Sequence, residues 1–134
     1  MISIVTSTVI PKAYSYFSVE ERYLQTIKTL KVLIAKGFNE IYLLDNSIVN
    51  LDTYRILKDT SNKVKIFQNL QYCFENKGLN EALLILNILS KIPDNETIFK
   101  ISGRYYPTDQ FDAEDLSKKL GNKDIVGVCS NLHQ

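Results

Sequence analysis

Short runs of β-branched and aliphatic residues alternate along this chain with stretches of helical periodicity, and that alternation restricts the fold more than any other feature. The runs are ISIVTS at residues 2–7, EIYLLD at 40–45, KVKIFQ at 63–68, TIFKIS at 97–102 and DIVGVC at 124–129. Each has the length and composition of a buried strand. Strands separated by helices connect through right-handed crossovers, which leave the strands parallel and the helices stacked over the sheet. The expectation is an α/β fold with a mainly parallel sheet and helices on both faces. With 134 residues, 45% of them hydrophobic, there is enough chain for one such domain and too little for two.

Between the runs, Ser18 and Glu21 have the spacing of a capping box and predict a helix start. Tyr23, Ile27, Leu30 and Ile34 then recur on one face, and Gly37 supplies the stop. A shorter helix is expected from about residue 51 to 59 with Asn50 as its N-cap. Residues 78–92 are apolar almost all round, which predicts a helix buried against the sheet, and residues 112–120 read as a short amphipathic helix.

Composition removes several function classes. Sixteen basic and fifteen acidic side chains leave a formal charge of +1, so no global field draws the chain to nucleic acid or membrane, and an anion site has to be local. The apolar stretch MISIVTSTVIP has no basic n-region and is interrupted by Ser and Thr, which argues against a signal peptide or membrane span and for a cytoplasmic protein. Cys73 and Cys129 form no CxxC pair and His133 is the only histidine. Zinc and haem patterns are therefore missing, and reduced, buried thiols are expected. No GxGxxG follows the first strand and no GxxxxGK[ST] occurs, which leaves dinucleotide and P-loop chemistry without their main support.

Ligands of parallel α/β sheets bind beyond the carboxyl ends of the strands, where strand order reverses. Three polar segments fall at such ends: Thr6-Ser7-Thr8, Asp45-Asn46-Ser47, and SGRYY from Ser102 to Tyr106. A fourth, NKGLNEA from Asn76 to Ala82 with Lys77 and Gly78, opens the third helix, where free backbone amides favour an anion. Arg104 is the most telling residue among them. A strand that only has to turn uses Gly, Asn or Asp, whereas a guanidinium presents a planar cationic fork to carboxylate or phosphate oxygens. Local roles compete at each position. Asp45, Asn46 and the TST segment also suit turns, Asn76 a cap, Lys77 an i,i+4 pair with Glu81, Arg104 a carboxylate pair, and Tyr105 and Tyr106 a core or a lid.

The order ISIVTST, EIYLLDNS, NKGLNEA, FKISGRYY resembles the nucleotide-sugar-binding half of GT-A-fold glycosyltransferases over residues 2–106. FKISGRYY is similar to the K-[IL]-[ST]-G-R-Y segment of some bacterial and viral glycosyltransferase-like proteins. Asn76, Gly78 and Ala82 match an N-x-G-x-x-x-A segment that lines the site in that family. The resemblance implies a GT-A/Rossmann-like fold in which Thr6, Ser7, Thr8 and Asp45, with Asn46 and Ser47, hold the nucleoside, and Asn76, Lys77, Gly78 and Arg104 complete the donor site. It implies transfer of a sugar from a nucleoside-diphosphate sugar to a glycan acceptor. Where many members carry Asp-x-Asp to bind Mn or Mg, this chain has Ser102-Gly103-Arg104. The motif thus gives no support for a divalent metal, and the resemblance leaves Arg104 with Lys77 to neutralise the leaving diphosphate. The acceptor region and the usual base of inverting members lie beyond the part that ends here at Gln134. Residues 1–134 are accordingly expected to form a single donor-binding domain, truncated or reduced, with no catalytic residue assigned. The competing expectation is a non-catalytic α/β module that binds a nucleotide or a protein partner. If Asp45 reads the nucleoside, Asp45→Asn weakens nucleotide binding and hardly changes stability.

Overall fold

A computed structural model describes residues 1–12, 15–68 and 72–127. Its elements alternate as predicted: β1 (Ile2–Ser7), α1 (Val19–Ala35), β2 (Ile41–Asp45), α2 (Thr53–Asp59), β3 (Val64–Phe67), α3 (Lys77–Leu89), β4 (Ile98–Ser102) and α4 (Ala113–Leu120). The four strands form one parallel sheet in the order β3-β2-β1-β4. Strand alternation sends two sets of apolar side chains in opposite directions. Val5, Ile41, Leu43 and Val64 pack with Tyr23, Ile27, Leu30 and Leu33 of α1 and Ile56 of α2. Ile2, Ile4, Tyr42 and Leu44 pack with Leu84 and Ile88 of α3 on the other face. The protein is an α/β fold with a parallel sheet covered on both faces. No helix among the described residues is long and apolar enough to cross a membrane.

The capping box at α1 is complete. Glu21 N donates to Ser18 Oγ at 3.1 Å, and Ser18 N reaches Glu21 Oε1 at 3.4 Å. Gly37, with φ of 92°, ends the helix in a backbone region that other residues rarely enter. Other boundaries differ from expectation. α2 starts later than residue 51, because Asp52 rather than Asn50 caps it, accepting from Arg55 N at 3.0 Å. α3 buries only Leu84 and Ile88 and leaves Leu79, Leu86 and Leu89 exposed, since a single face meets the sheet. Cys73 is exposed rather than buried; Cys129 and His133 lie outside the described residues.

The fifth strand expected at 124–129 is not formed by residues 124–127, and residues 128 and 129 lie outside the described residues. Topology accounts for this. Phe111 and Ala113 dock the start of α4 on the α1 side of the sheet. A further parallel strand outside β4 would need its crossover helix on the α3 side to be right-handed.

Tyr23 links α1 to α2. It is 6% exposed, its hydroxyl donates to Asp59 Oδ2 at 2.9 Å, and the Arg55 guanidinium lies over its ring. Burial, reinforced by the Asp59 carboxylate, pushes its pKa up to about 12 from 10.0. The protonated phenol is thus favoured in the folded state, so the contribution is complete below pH 10 and disappears as pH rises towards 12. Denaturant midpoints measured across that window are expected to fall more steeply for the wild type than for Tyr23→Phe, by up to about 2 kcal/mol.

Candidate functional site

The chain moves from β1 to β2 in one direction across the sheet and from β3 to β4 in the other. Strand order therefore reverses at β1, between β2 and β4, and the loops leaving β1 and β4 both turn to the α1 side, where Thr29 holds the β4 turn. Register brings the polar segments level: Ser7 is opposite Asp45, and Thr6 is opposite Ser102. The TST, DNS and SGR segments thus share one edge of the sheet. Alternation also separates neighbours, for Ser7 points to the α1 side and Thr6 to the α3 side.

Asp45 is fully enclosed, with 0% exposure. Its Oδ2 accepts from Ser7 Oγ at 2.5 Å and from Val9 N at 3.1 Å, and its Oδ1 accepts from Ser47 N at 2.8 Å. Ser47 Oγ accepts from Ile10 N at 2.9 Å, and Asn46 N donates to Ser7 O at 2.9 Å. The loops after β1 and β2 are thereby tied into one knot around a carboxylate. Asn46 clamps a third segment: its Nδ2 donates to Tyr72 O and its Oδ1 accepts from Tyr72 N, both at 2.7 Å. Buried backbone N–H groups need acceptors, and these side chains supply them. This geometry argues against the expectation that Asp45→Asn hardly changes stability, because an amide nitrogen cannot accept the bonds that one carboxylate oxygen accepts.

The turn after β4 is held as firmly. Gly103 N donates to Thr6 O at 2.7 Å, and the Thr29 hydroxyl of α1 lies 3.0 Å from Gly103 O and 2.6 Å from Tyr105 O. A Cβ on Gly103 would stand 3.2 Å from Ser7 Cβ and from Thr26 Oγ1 and 3.3 Å from Thr6 O. The turn lies so closely against the β1 end and α1 that any side chain here would require its neighbours to shift by a few tenths of an ångström. On this platform the Arg104 side chain is exposed, and it forms no ion pair with any carboxylate among the described residues. Tyr105 is 65% exposed, and Tyr106 stacks under the Lys28 ammonium at 4.1 Å, so neither is a core residue.

Arg22 also belongs to this edge, although sequence reasoning did not single it out. It lies in the first turns of α1, half-buried, with Nε donating to Thr8 O at 2.7 Å and Nη1 to Ser15 Oγ at 2.8 Å. Burial and the nearby Arg104 charge lower its pKa, against the opposing pull of Asp45. Its only sequence signal was a basic residue where a strand-one loop enters a helix.

The α3 end contributes differently. Asn76, Lys77 and Gly78 are exposed, and Asn76 Oδ1 caps the helix by accepting from Leu79 N at 3.2 Å. Lys77 does not pair with Glu81. That carboxylate instead accepts from Thr6 Oγ1 at 2.6 Å and forms an ion pair with Lys100 of β4. Burial alone would raise the Glu81 pKa, but the Lys100 and Thr6 hydrogen bonds hold it below the usual value. Thr6 is therefore engaged on the α3 face, away from Ser7 and Asp45.

An open concavity of about 480 Å³ is lined by Lys36 and residues 109–114. Lys36 caps the C-terminus of α1, so this hollow lies at the amino edge of the sheet, opposite the loops just described. Among its acids, Asp112 caps α4 by accepting from Glu114 N at 2.9 Å, which suits the helix dipole. No group of three His, Cys, Asp or Glu side chains among the described residues converges as a metal site. No protein family, curated protein or solved structure matches the chain.

Proposed function

We propose that the domain binds a nucleoside-diphosphate sugar and serves as the donor-binding part of a glycosyltransferase acting on a glycan. Arg104 carries this reading. It is an exposed cationic fork, without a carboxylate partner among the described residues, on a rigid turn where strand order reverses. Such a fork suits a diphosphate, whose charge it pairs by bidentate hydrogen bonds. The order of the four motifs along the chain supports the sugar-nucleotide class. Ser7, Asp45 and Ser47 then shape the wall of the nucleoside side, and Asn76, Lys77 and Gly78 border the α3 side. A non-catalytic binding module is the second reading. It is favoured by the internal saturation of Asp45 and Asn46, whose polar atoms already serve the fold.

Titration with a panel of nucleotide sugars, nucleoside diphosphates and bare nucleosides, in EDTA, tests the proposal. Diphosphates and their sugars are expected to bind, and Arg104→Ala to cost them about 1.5–3 kcal/mol while leaving the nucleoside nearly unaffected. Arg104→Lys is expected to recover part of the loss, because the charge remains and the fork does not. Equal losses for nucleoside and diphosphate would assign Arg104 to the fold. Binding that requires added Mn or Mg would overturn the arginine-based site, and binding without any sugar transfer to glycans would favour the module.

A further inference from the structure

Helix α3 carries a second apolar face that the sheet leaves uncovered. Leu84 and Ile88 turn inward onto Ile2, Ile4, Tyr42 and Leu44, and Glu81 turns inward to Thr6 and Lys100. On the opposite face Leu79, Ala82, Leu86 and Leu89 are exposed, Leu86 by 61%. Their spacing of three, four and three residues is that of the apolar seam along a helix that pairs with another helix. The charged residues of α3 are Lys77 and Glu81, and neither falls on the seam. Asn80 and Asn87, beside it, are engaged in holding a flanking segment. Asn80 Oδ1 accepts from Phe74 N at 3.0 Å and its Nδ2 donates to Phe74 O at 2.9 Å, while Asn87 Nδ2 donates to the Tyr72 hydroxyl. Residues 72–74 are thus bound along the helix, with the exposed Phe74 ring next to its first turn. Single apolar side chains on a surface need no explanation, but a continuous seam at helix-pairing intervals does.

We infer that this seam joins two copies of the chain, α3 of one lying antiparallel against α3 of the other. The seam itself selects that occupant. A three-four-three spacing reads the same from either end, so a second copy reversed about a twofold axis near Leu84 sets Leu79 opposite Leu89 and Ala82 opposite Leu86. The two central layers then pair a small side chain with a large one, which lets the helices approach closely and interdigitate. A parallel copy would set Ala82 against Ala82 and Leu86 against Leu86, leaving a gap beside a crowded layer. Reversal also opposes the helix dipoles. It brings Lys77 level with Lys91 of the second copy, but Lys91 turns away from the seam, its ammonium 4.8 Å from the centre of the Phe67 ring on the sheet side. The seam lies across the sheet from the Arg104 turn, which α1 holds, so the inference does not depend on the nucleotide-sugar reading.

Sedimentation velocity of the full chain over a dilution series provides the test. A dimer is expected that dissociates on dilution with a Kd in the micromolar range, as suits a small interface. Leu86→Glu is expected to weaken it roughly thirtyfold or more. Because that side chain is exposed, the melting temperature of the dilute monomer should not change. Ala82→Leu separates a fitted seam from a merely adhesive one: it adds apolar surface yet is expected to weaken the dimer by overfilling the central layers. Register is read by thiol crosslinking in a Cys73→Ser, Cys129→Ser background. Residue 79 lies five positions from the twofold, so its two copies stand about 15 Å apart along the axis. Leu79→Cys chains alone should therefore resist a short bis-maleimide, as should Leu89→Cys chains, whereas an equal mixture of the two should crosslink. A chain that stays monomeric up to about 0.1 mM, a dimer indifferent to Leu86→Glu, or tighter association in Ala82→Leu would overturn the inference. So would Leu79→Cys chains that crosslink as readily alone as in the mixture. A monomer that sediments with phosphatidylcholine vesicles would overturn it as well and give the seam to a lipid surface.

Discussion

Asp45→Ala is expected to destabilise the protein by about 3–5 kcal/mol, at roughly 1–3 kcal/mol for each buried donor left without an acceptor. The alanine removes the acceptor of Val9 N, of Ser47 N and of the Ser7 hydroxyl at once, and the site has no exposure through which water could replace it. The loss reaches beyond a single loop, because the carboxylate joins the chain after β1 to the chain after β2. Asp45→Asn is expected to cost less, about 1–3 kcal/mol, since one oxygen survives while the new amide faces a donor. Chemical denaturation of both variants checks the order. Stability equal to the wild type in Asp45→Ala would show that the knot contributes nothing and would return Asp45 to the nucleoside. Ser7→Ala supplies the scale for one neutral partner, because it deletes a single hydroxyl bond and leaves both backbone donors satisfied.

Gly103→Val is the second large effect. The added Cβ alone comes within 3.2 Å of Ser7 Cβ and Thr26 Oγ1 and 3.3 Å of Thr6 O. Two of these neighbours belong to the hydrogen-bonded β1 strand end, and Thr26 is held by its bond to Arg22 O, so each resists the shift a side chain would require. Alanine is therefore expected to cost about 1–3 kcal/mol, and the branched valine more, by forcing the turn outwards. The movement breaks the 2.7 Å bond from Gly103 N to Thr6 O and carries Arg104 with it. Thermal unfolding should show the stability loss, and diphosphate titration of Gly103→Ala should show weaker binding although every charge is retained. A stable Gly103→Val protein that binds diphosphate normally would mean that the turn can move without consequence for Arg104.

Four strands, the four helices and the cap of α1 were legible in the sequence because each depends on residues close together in the chain. The cap of α2 was misread, and residues 124–127 do not form the strand expected at 124–129. The apolar runs place β1 to β4 within a residue or two, and the Ser18–Glu21 spacing marks the start of α1 correctly. Parallel order followed from the alternation itself, through crossover handedness. Chain neighbours could not reveal what each polar side chain would meet. Ser7 and Val9 reach Asp45 across 38 and 36 positions, and Thr6 reaches Glu81 across 75. Lys77 was the local partner for Glu81, yet β4 brings Lys100 there from the neighbouring strand. A buried carboxylate takes whichever donors the register delivers, and a cation remains unneutralised only if no acid is carried to it. Sequence therefore determined the elements and the edge of the sheet where polar residues collect. Tertiary structure decided that Asp45 is enclosed by the fold and that Glu81 pairs with Lys100, because strand register and helix docking set the distances on which hydrogen bonds and ion pairs depend.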